Sequence, residues 1–252
     1  MSNTHRLANK NAIVTGGTTG LGFETARRFV EEGAAVLITG RDQERLDDAV
    51  SRLGDRSHGV VADSSRVADL ERLANVAKEK LGDVHVLFAN AGNGMFAPIN
   101  DVDEELYTRQ FDLNVKGVFF TVQKLLPLMG DGGSIVLTAS AVQEKGAPGG
   151  SLYFASKAAT RSFARTLAAE LGGQGIRVNS LSPGIVPTQF FVNSNAPEEL
   201  YNDFEAMAGT SAPLGRAGKP IEIADAAVFL ASDEAAFITA SDLVVDGGWS
   251  NV

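Results

Sequence analysis

The sequence predicts an α/β fold: a single domain built on a doubly wound parallel sheet of about seven strands, with helices on both faces. Three observations predict it. Short apolar runs alternate with longer helical patterns along the chain. Most of these runs are apolar throughout, as in strands that are covered on both faces. A glycine-rich turn joins the first strand to the first helix, which favours an open sheet over the (β/α)8 barrel that 252 residues could also form.

The strands are predicted at the short apolar runs, which are residues 12–14, 35–38, 59–61, 84–88, 134–137, 176–180 and 242–245. The helices are predicted where apolar residues recur at helical spacing, at residues 21–32, 42–53, 67–81, 103–129, 152–171 and 221–231. Four of them are followed by a glycine at a C-cap position, namely Gly33, Gly54, Gly82 and Gly172. No linker interrupts the alternation, so residues 1–252 are predicted to form one domain. The least regular stretch, 187–220, is predicted to be a mobile flap within it.

The composition excludes several classes of function. Acidic residues outnumber basic ones by 31 to 22, which argues against nucleic acid or an anionic membrane as the main partner. Cysteine is absent and the three histidines are scattered, so no metal site is expected. The first ten residues are polar, and no apolar run approaches the roughly 20 residues of a membrane span. A cytoplasmic protein is expected.

The turn after the first strand has the pattern T-G-x-x-x-G-x-G, from Thr15 to Gly22. Gly16 permits a tight turn, Gly20 lets the backbone approach a pyrophosphate, and Gly22 lets the helix pack close to the strand. The N-terminus of the helix then offers free N–H groups to phosphates. No G-K-[ST] follows, which disfavours a mononucleotide P-loop. The predicted dinucleotide contacts in this turn are Gly16, Thr18, Thr19, Gly20, Leu21 and Gly22.

The end of the second strand indicates which dinucleotide is bound. An NAD site usually carries an acidic residue about 20 residues after the glycine turn, bonded to the ribose hydroxyls. This chain has Gly40 followed by Arg41 there, and a guanidinium matches a 2′-phosphate. We therefore predict NADP(H) as the cofactor. In the alternative interpretation Arg41 is a solvated residue paired with Asp42 or Glu44, and Asp42 keeps NAD(H) possible.

Polar residues also follow the third and fourth strands, at Asp63 and at Asn90-Ala91-Gly92. Ligands bind at the carboxyl ends of strands in such sheets. Asp63 could accept a hydrogen bond from an adenine amine, and the Asn90–Gly92 backbone could run close to the adenine ribose. The alternative is that these residues serve only as N-caps or turn residues.

Tyr153 and Lys157 are four residues apart in a helical stretch, which places them on one face of the helix. A nearby ammonium is expected to lower the phenol pKa from its free value of about 10, so that the pair can exchange a proton with an alcohol. Ser140, at the end of a predicted strand, could polarise a substrate carbonyl. Asn114, inside the predicted helix 103–129, is either a surface residue or the holder of a water that relays protons from Lys157.

Taken together, these motifs resemble those of the short-chain dehydrogenase/reductase family, over nearly the whole chain. The glycine turn, Asn90-Ala91-Gly92, Pro183-Gly184 and Val245-Asp246-Gly247-Gly248 match in order. The resemblance implies an oxidoreductase of the Rossmann type and a catalytic tetrad of Asn114, Ser140, Tyr153 and Lys157. It also implies further cofactor contacts at Tyr153, Lys157, Pro183, Gly184, Val186 and Thr188. One departure is Ala89, where the family often has a second asparagine.

Within the family the chain resembles bacterial NADP-dependent secondary alcohol dehydrogenases, and the resemblance implies a homotetramer. The predicted pocket walls are mostly apolar, so we expect an uncharged, fairly hydrophobic alcohol or ketone as the substrate. These walls are Asn93–Phe96, Ala141–Gln143, Leu152, Ile185–Val186, Phe190, Phe191 and Met207. The flap phenylalanines could instead pack on the core. The alternatives are a 3-oxoacyl-carrier-protein reductase, with Arg109, Lys116 and Arg161 as a docking patch, and a non-enzymatic NADP-binding module.

Overall fold

The computed structural model of the chain describes residues 5–192 and 204–252, without the side chains of residues 191, 192, 204 and 205. Seven parallel strands form one sheet in the order β3-β2-β1-β4-β5-β6-β7. They are β1 Asn11–Val14, β2 Ala35–Gly40, β3 Ser57–Val61, β4 Val84–Ala89, β5 Met129–Thr138, β6 Arg177–Pro183 and β7 Asp242–Val245. The predicted fold class is confirmed, and each predicted strand has its counterpart in the sheet.

The helices cover both faces of this sheet. They are α1 Gly20–Glu31, α2 Gln43–Leu53, α3 Val67–Lys80, α4 Glu104–Phe111, α5 Val118–Leu125, α6 Ser151–Leu171, α7 Gln189–Val192, α8 Phe204–Ser211 and α9 Pro220–Ala231. Consecutive residues of a strand point to opposite faces, so Val36 and Ile38 join the core layer beneath α1 and α9, whereas Leu37 joins the layer beneath α3, α5 and α6. Two buried layers explain why the strands are apolar throughout.

The helix ends largely follow the glycine pattern. Gly33, Gly54 and Gly82 adopt positive φ angles of 93°, 88° and 73°, a region that residues with a Cβ avoid. Gly172 occupies the predicted C-cap position of α6, but it stays right-handed with φ −57°. A further 3-10 turn follows it, and the chain turns left-handed only at Gly175. The glycine run 172–175 thus moves the true turn three residues downstream.

The predicted continuous helix 103–129 is wrong. The chain forms α4, then a π-helical turn at Asp112–Gly117, then α5 and a 3-10 turn at Leu126–Leu128. In the π-helical turn, Thr160 donates a hydrogen bond of 3.2 Å to the carbonyl of Asn114, which satisfies a backbone acceptor there. Pro127 ends the helical path, because proline lacks the N–H that continues a helix, and Met129 already begins β5.

The predicted flap is only partly described, because residues 193–203 lie outside the described ranges. Its described part is more regular than the sequence indicates, since it contains α7 and α8. Its mobility stays a prediction.

Among the described helices, none combines the length and the apolar character that crossing a membrane would require.

Candidate active site

A cavity of about 640 Å³ opens at the carboxyl ends of the strands. Ser140 and every predicted cofactor contact line it; these contacts are Gly16, Thr18, Thr19, Gly20, Leu21, Gly22, Gly40, Arg41, Asp63, Asn90, Ala91, Gly92, Tyr153, Lys157, Pro183, Gly184, Val186 and Thr188. Asn114, the fourth predicted catalytic residue, lies behind the wall. The cavity therefore joins the glycine turn to the predicted proton-transfer residues in one continuous space.

The glycine turn has the backbone that its sequence requires. Gly16 and Gly20 adopt positive φ angles of 64° and 55°. A Cβ on Gly22 would lie 2.1 Å from the carbonyl oxygen of Gly16, so only glycine fits there. The amide of Asn90 donates to the carbonyls of Thr15 and Gly16, at 3.2 and 3.3 Å. Asn90 therefore braces the turn, a contact that its position after a strand does not reveal.

The segment after β2 brings Arg41, Asp42 and Arg45 to the cavity. Arg41 is exposed, and within residues 5–192 and 204–252 it takes part in no ion pair, so the alternative pairing with Asp42 or Glu44 is absent from the described structure. Asp42 instead caps α2 by accepting a hydrogen bond of 2.9 Å from the backbone N–H of Arg45. Arg45 also lines the cavity, and the sequence analysis missed it. Arg45 follows Arg41 by four residues, and this spacing was the sequence signal that both arginines could face the same ligand.

Gly40 is constrained by its neighbour in the glycine turn. A Cβ on Gly40 would lie 2.4 Å from the Cγ2 methyl of Thr18. An acidic side chain of the kind that binds ribose hydroxyls therefore requires Thr18 to move. Packing against Thr18 therefore favours glycine at position 40, and glycine supplies no carboxylate for the ribose.

Asp63 lines the cavity but also serves a turn. Its Oδ1 accepts hydrogen bonds from the backbone N–H and the hydroxyl of Ser65, at 3.0 and 2.7 Å. The turn interpretation of Asp63 is therefore correct, and a contact to an adenine stays a prediction.

On the opposite side, Gly20 approaches Thr188, and Gly184 packs closely against Asp246. A Cβ added to Gly184 would lie 2.5 Å from the Cβ of Asp246. Pro183-Gly184 and the C-terminal glycine motif are therefore parts of one contact.

These features fit an extended dinucleotide. The turn between β1 and α1 leads into the helix N-terminus, which offers backbone N–H groups to phosphates. Arg41, directly after β2, and Arg45, in the first turn of α2, supply positive charge to the cavity that Tyr153 and Lys157 also line. We conclude that the described residues can hold a nicotinamide dinucleotide.

Ser140 lies two residues beyond β5, at the N-cap of a 3-10 turn that spans Ala141–Glu144. Its hydroxyl accepts from the backbone N–H of Val142 at 3.4 Å, and its interaction with the phenol of Tyr153 favours the phenolate. Burial raises the pKa of Tyr153 to about 12, and the interaction with Ser140 opposes that shift only in part. The expected net lowering of this pKa is therefore not found, because burial sets the direction of the shift. Tyr153 is a protonated phenol near neutral pH.

Lys157 is buried beside Tyr153, with 5% of its surface exposed. Its ammonium donates a hydrogen bond of 2.8 Å to the carbonyl of Thr138 and lies 5.9 Å from the centroid of the Tyr153 ring. Burial lowers the pKa of Lys157 to about 8, because the charged form loses hydration. The residue is thus a cation that can lose its charge just above neutral pH.

Asn114 is buried in the π-helical turn, so the surface interpretation is wrong. Its side chain accepts from the backbone N–H of Asn93 at 3.0 Å and donates to the carbonyl of Asn93 at 2.9 Å. A Cβ on Gly92 would lie 3.3 Å from Asn114 Oδ1 and 3.5 Å from Lys157 Nζ. Asn114 and Lys157 therefore both lie next to Gly92.

Two buried polar residues that support this site were missed. Gln110 accepts from the N–H of Met95 at 2.7 Å and donates to the carbonyl of Asn93 at 3.1 Å. Ser156 accepts from the Asn114 amide at 3.1 Å. The signal was available, since Gln110 precedes Asn114 by four residues and Ser156 follows Tyr153 by three, which are same-face spacings on helices.

The substrate end of the cavity is aromatic. The rings of Phe96 and Phe190 lie 5.4 and 5.5 Å from the ring of Tyr153, so Phe190 faces the cavity. The predicted walls Asn93, Met95, Phe96, Val142, Ile185, Val186, Phe190 and Met207 line it. Gly94, Ala141, Gln143 and Leu152 do not, and the side chain of Phe191 lies outside the description. Gln143 turns away to donate to Asp242 at 2.6 Å. Wall residues that were missed include Ala147, Pro148, Gly150, Phe154 and Trp249.

Comparisons with known proteins agree with this geometry. Residues 16–250 match a family model described as enoyl-(acyl carrier protein) reductase. An oxidoreductase of Sarocladium schorii, asL5, is 44% identical over the full length of both chains. A 3alpha-hydroxysteroid dehydrogenase of Mediterraneibacter gnavus is 38% identical, over 96% of this chain and 97% of its own. A solved short chain dehydrogenase/reductase family protein is 39% identical with a TM-score of 0.84, over 98% of this chain and 100% of that one.

Proposed function

Because this chain belongs to the short-chain dehydrogenase/reductase family of oxidoreductases, we propose that it transfers a hydride between NADP(H) and an uncharged, fairly hydrophobic secondary alcohol or ketone. One observation carries the proposal. The Tyr153 phenol lies with Ser140 and the buried ammonium of Lys157 in the same cavity as the glycine turn and an aromatic wall.

The residues of the chain donate the proton and orient the substrate carbonyl. The cofactor, when bound, supplies the hydride to the carbonyl carbon during reduction. The Ser140 hydroxyl hydrogen-bonds the carbonyl oxygen, and Tyr153 gives its phenolic proton to that oxygen as negative charge develops on it. The ammonium of Lys157 stabilises the phenolate that remains. Asn114 holds the backbone at Asn93, next to Gly92, which also borders the ammonium of Lys157.

The choice of NADP(H) over NAD(H) rests on charge at the end of β2. Arg41 and Arg45 line that end of the cavity, and Asp42 is engaged as a helix cap. A guanidinium can bind a 2′-phosphate through two charge-assisted hydrogen bonds. Gly40 leaves no carboxylate for the ribose hydroxyls.

The substrate class rests on the walls near Tyr153. Phe96, Phe154 and Phe190 surround the phenol, and an aromatic wall favours an apolar substrate over a charged one. The similarity to a 3alpha-hydroxysteroid dehydrogenase supports the same class, since a hydroxysteroid is a bulky, uncharged secondary alcohol.

Assembly is proposed as a homotetramer. Phe119 on α5 is 36% exposed and lies 5.6 Å from the ring of Phe163 on α6. An exposed aromatic group that bridges two helices supports self-association through this face.

The Arg41→Ala variant tests the cofactor assignment. Loss of a charge-assisted contact to phosphate is expected to lower kcat/KM for NADPH about tenfold to hundredfold and to leave the value for NADH nearly unchanged. The measurement is initial-rate oxidation of each cofactor at a saturating ketone. Arg165→Ala removes an exposed arginine of α6 outside the cavity and serves as the control. A wild-type enzyme that prefers NADH would contradict the role of Arg41.

The substrate assignment is tested in the same assay with aliphatic, cyclic and aryl ketones beside a 3-oxoacyl thioester. We expect the hydrophobic ketones to be the better substrates. Of the candidate docking residues, Lys116 pairs with Asp112 at 2.7 Å, Arg161 pairs with Glu144, and Arg109 lines the cavity. The three therefore do not form a free basic patch. A higher kcat/KM for the thioester would favour a carrier-protein substrate, as the name of the matching family model suggests.

Ketone reduction is expected to lose kcat/KM as the pH rises through about 8. Burial lowers the pKa of Lys157 to about 8, so its ammonium is charged below that pH and neutral above it. The neutral amine no longer stabilises the phenolate that forms, whereas the phenol itself stays protonated because burial raises its pKa to about 12. A profile between about pH 6 and about pH 10 checks this. Lys157→Arg should move the fall to higher pH, and a wild-type profile that rises through this interval would contradict the assignment.

A further inference from the structure

The C-terminal segment forms a tight turn around one carboxylate. Asp246 accepts hydrogen bonds from the N–H groups of Gly248 and Ser250, at 2.8 and 2.7 Å, and from the hydroxyl of Ser250 at 2.6 Å. The turn packs between two parts of the site. Gly184 touches Asp246 on one side, and a Cβ on Gly248 would lie 2.9 Å from Pro213 on the other. We call residues 246–250 the C-terminal turn.

This turn carries Trp249 into the wall of the cavity that Tyr153 also lines. Trp249 is the single tryptophan of the chain. A large aromatic ring at the edge of a cavity is mobile unless something holds it, so its partners decide whether it acts as a wall.

The partner of Trp249 is Lys145. Its ammonium donates a hydrogen bond of 2.8 Å to the carbonyl of Trp249 and lies 4.5 Å from the centroid of the indole ring. That distance suits a cation–π interaction. The backbone N–H of Lys145 donates a hydrogen bond of 2.9 Å to the carbonyl of Val142. This bond ends the 3-10 turn that follows Ser140. One side chain thus joins the segment after Ser140 to the C-terminal turn.

We propose that Lys145 is a positioning residue that holds the Trp249 ring as a wall of the substrate pocket, and that this wall selects ketones carrying a planar ring. The inference rests on the proposed function, because it requires that this end of the cavity receives the ketone. Lys145 carries its charge outside the proton-transfer residues. Its expected effect is therefore on which substrate is accepted rather than on proton transfer.

The fluorescence of Trp249 tests the anchoring without turnover, because it reports on this one residue. Lys145→Met is expected to raise the acrylamide quenching constant at least about twofold, since the cation–π contact and the hydrogen bond are both lost. Lys145→Arg keeps a cation at this position and should retain most of the wild-type value. Lys80→Met, which removes an exposed lysine of α3 paired with Glu79, is the matched control and should leave the constant unchanged.

Steady-state kinetics test the selection. Trp249→Ala is expected to lower kcat/KM for acetophenone about tenfold, and Lys145→Met to lower it by several-fold, with 2-butanone nearly unaffected in both variants. If Lys145→Met leaves both quenching and the acetophenone/2-butanone ratio at wild-type values, the proposal is overturned. A change in quenching without a change in the ratio overturns the selective role. If the wild type reduces neither ketone, the proposed function fails, whereas the quenching comparison still decides the anchoring.

Discussion

Replacing Tyr153 by phenylalanine is expected to lower kcat/KM for NADPH-dependent ketone reduction by about a thousandfold, within the range that general acid catalysis contributes. The phenol is the proton donor that we propose, and burial raises its pKa to about 12, which favours the protonated form near neutral pH. The ring of phenylalanine fills the same space, so its contacts with Phe96 and Phe190 are retained. Thermal unfolding and NADPH binding should stay close to the wild type.

The matched control is Tyr107→Phe, which removes the hydroxyl of a tyrosine that is 48% exposed and stacked on Phe111 outside the cavity. It should keep full activity. Wild-type turnover in the Tyr153 variant would show that another group supplies the proton. If the wild type itself binds NADPH but shows no turnover with any alcohol or ketone, the chain is better described as a cofactor-binding module.

Gly22→Ala is expected to weaken NADPH binding at least about a hundredfold, which corresponds to about 3 kcal/mol, or to destabilise the fold by a similar amount. The added Cβ would lie 2.1 Å from the carbonyl oxygen of Gly16 and 2.6 Å from the amide nitrogen of Asn90. The first of these is backbone, so no rotamer change relieves the clash. The glycine turn must move, and the N–H groups aimed at the phosphates move with it.

Gly172→Ala provides the control for Gly22→Ala. Gly172 has φ −57°, and a Cβ there meets nothing within 4 Å, so alanine should be neutral or slightly stabilising. NADPH affinity from fluorescence titration and the midpoint of thermal unfolding distinguish the two variants. Equal affinity and stability in Gly22→Ala and the wild type would show that the turn does not bind the dinucleotide in this geometry.

The elements that the sequence predicts best are those with local causes. A strand covered on both faces must be apolar throughout, so the seven strands are visible as short apolar runs, and the glycines at 33, 54 and 82 mark turns that require positive φ. The conformation of the glycine turn could be predicted as well, because positive φ angles and close backbone packing require glycine at fixed positions of the sequence.

The errors arose where distant residues decide the outcome. The helix 103–129 is interrupted at Asn114, where Thr160, 46 residues away, supplies the carbonyl with a hydrogen bond. The pKa of Tyr153 depends on how deeply α6 is buried, a quantity that spacing along a helix does not contain. The roles of Gln110 and Ser156 depend on Asn93, Met95 and Asn114, which the fold brings close to them.

The sequence by itself determined the α/β class, the family, the dinucleotide turn and the residues from which a proton-transfer site is built, because each of these depends on the identity and spacing of nearby residues. Only the tertiary structure decided that Asn114 is buried, that burial raises the pKa of Tyr153, and that Lys145 contacts Trp249. Burial and contacts between distant segments set those properties, and both exist only once the sheet and its two helical layers have assembled.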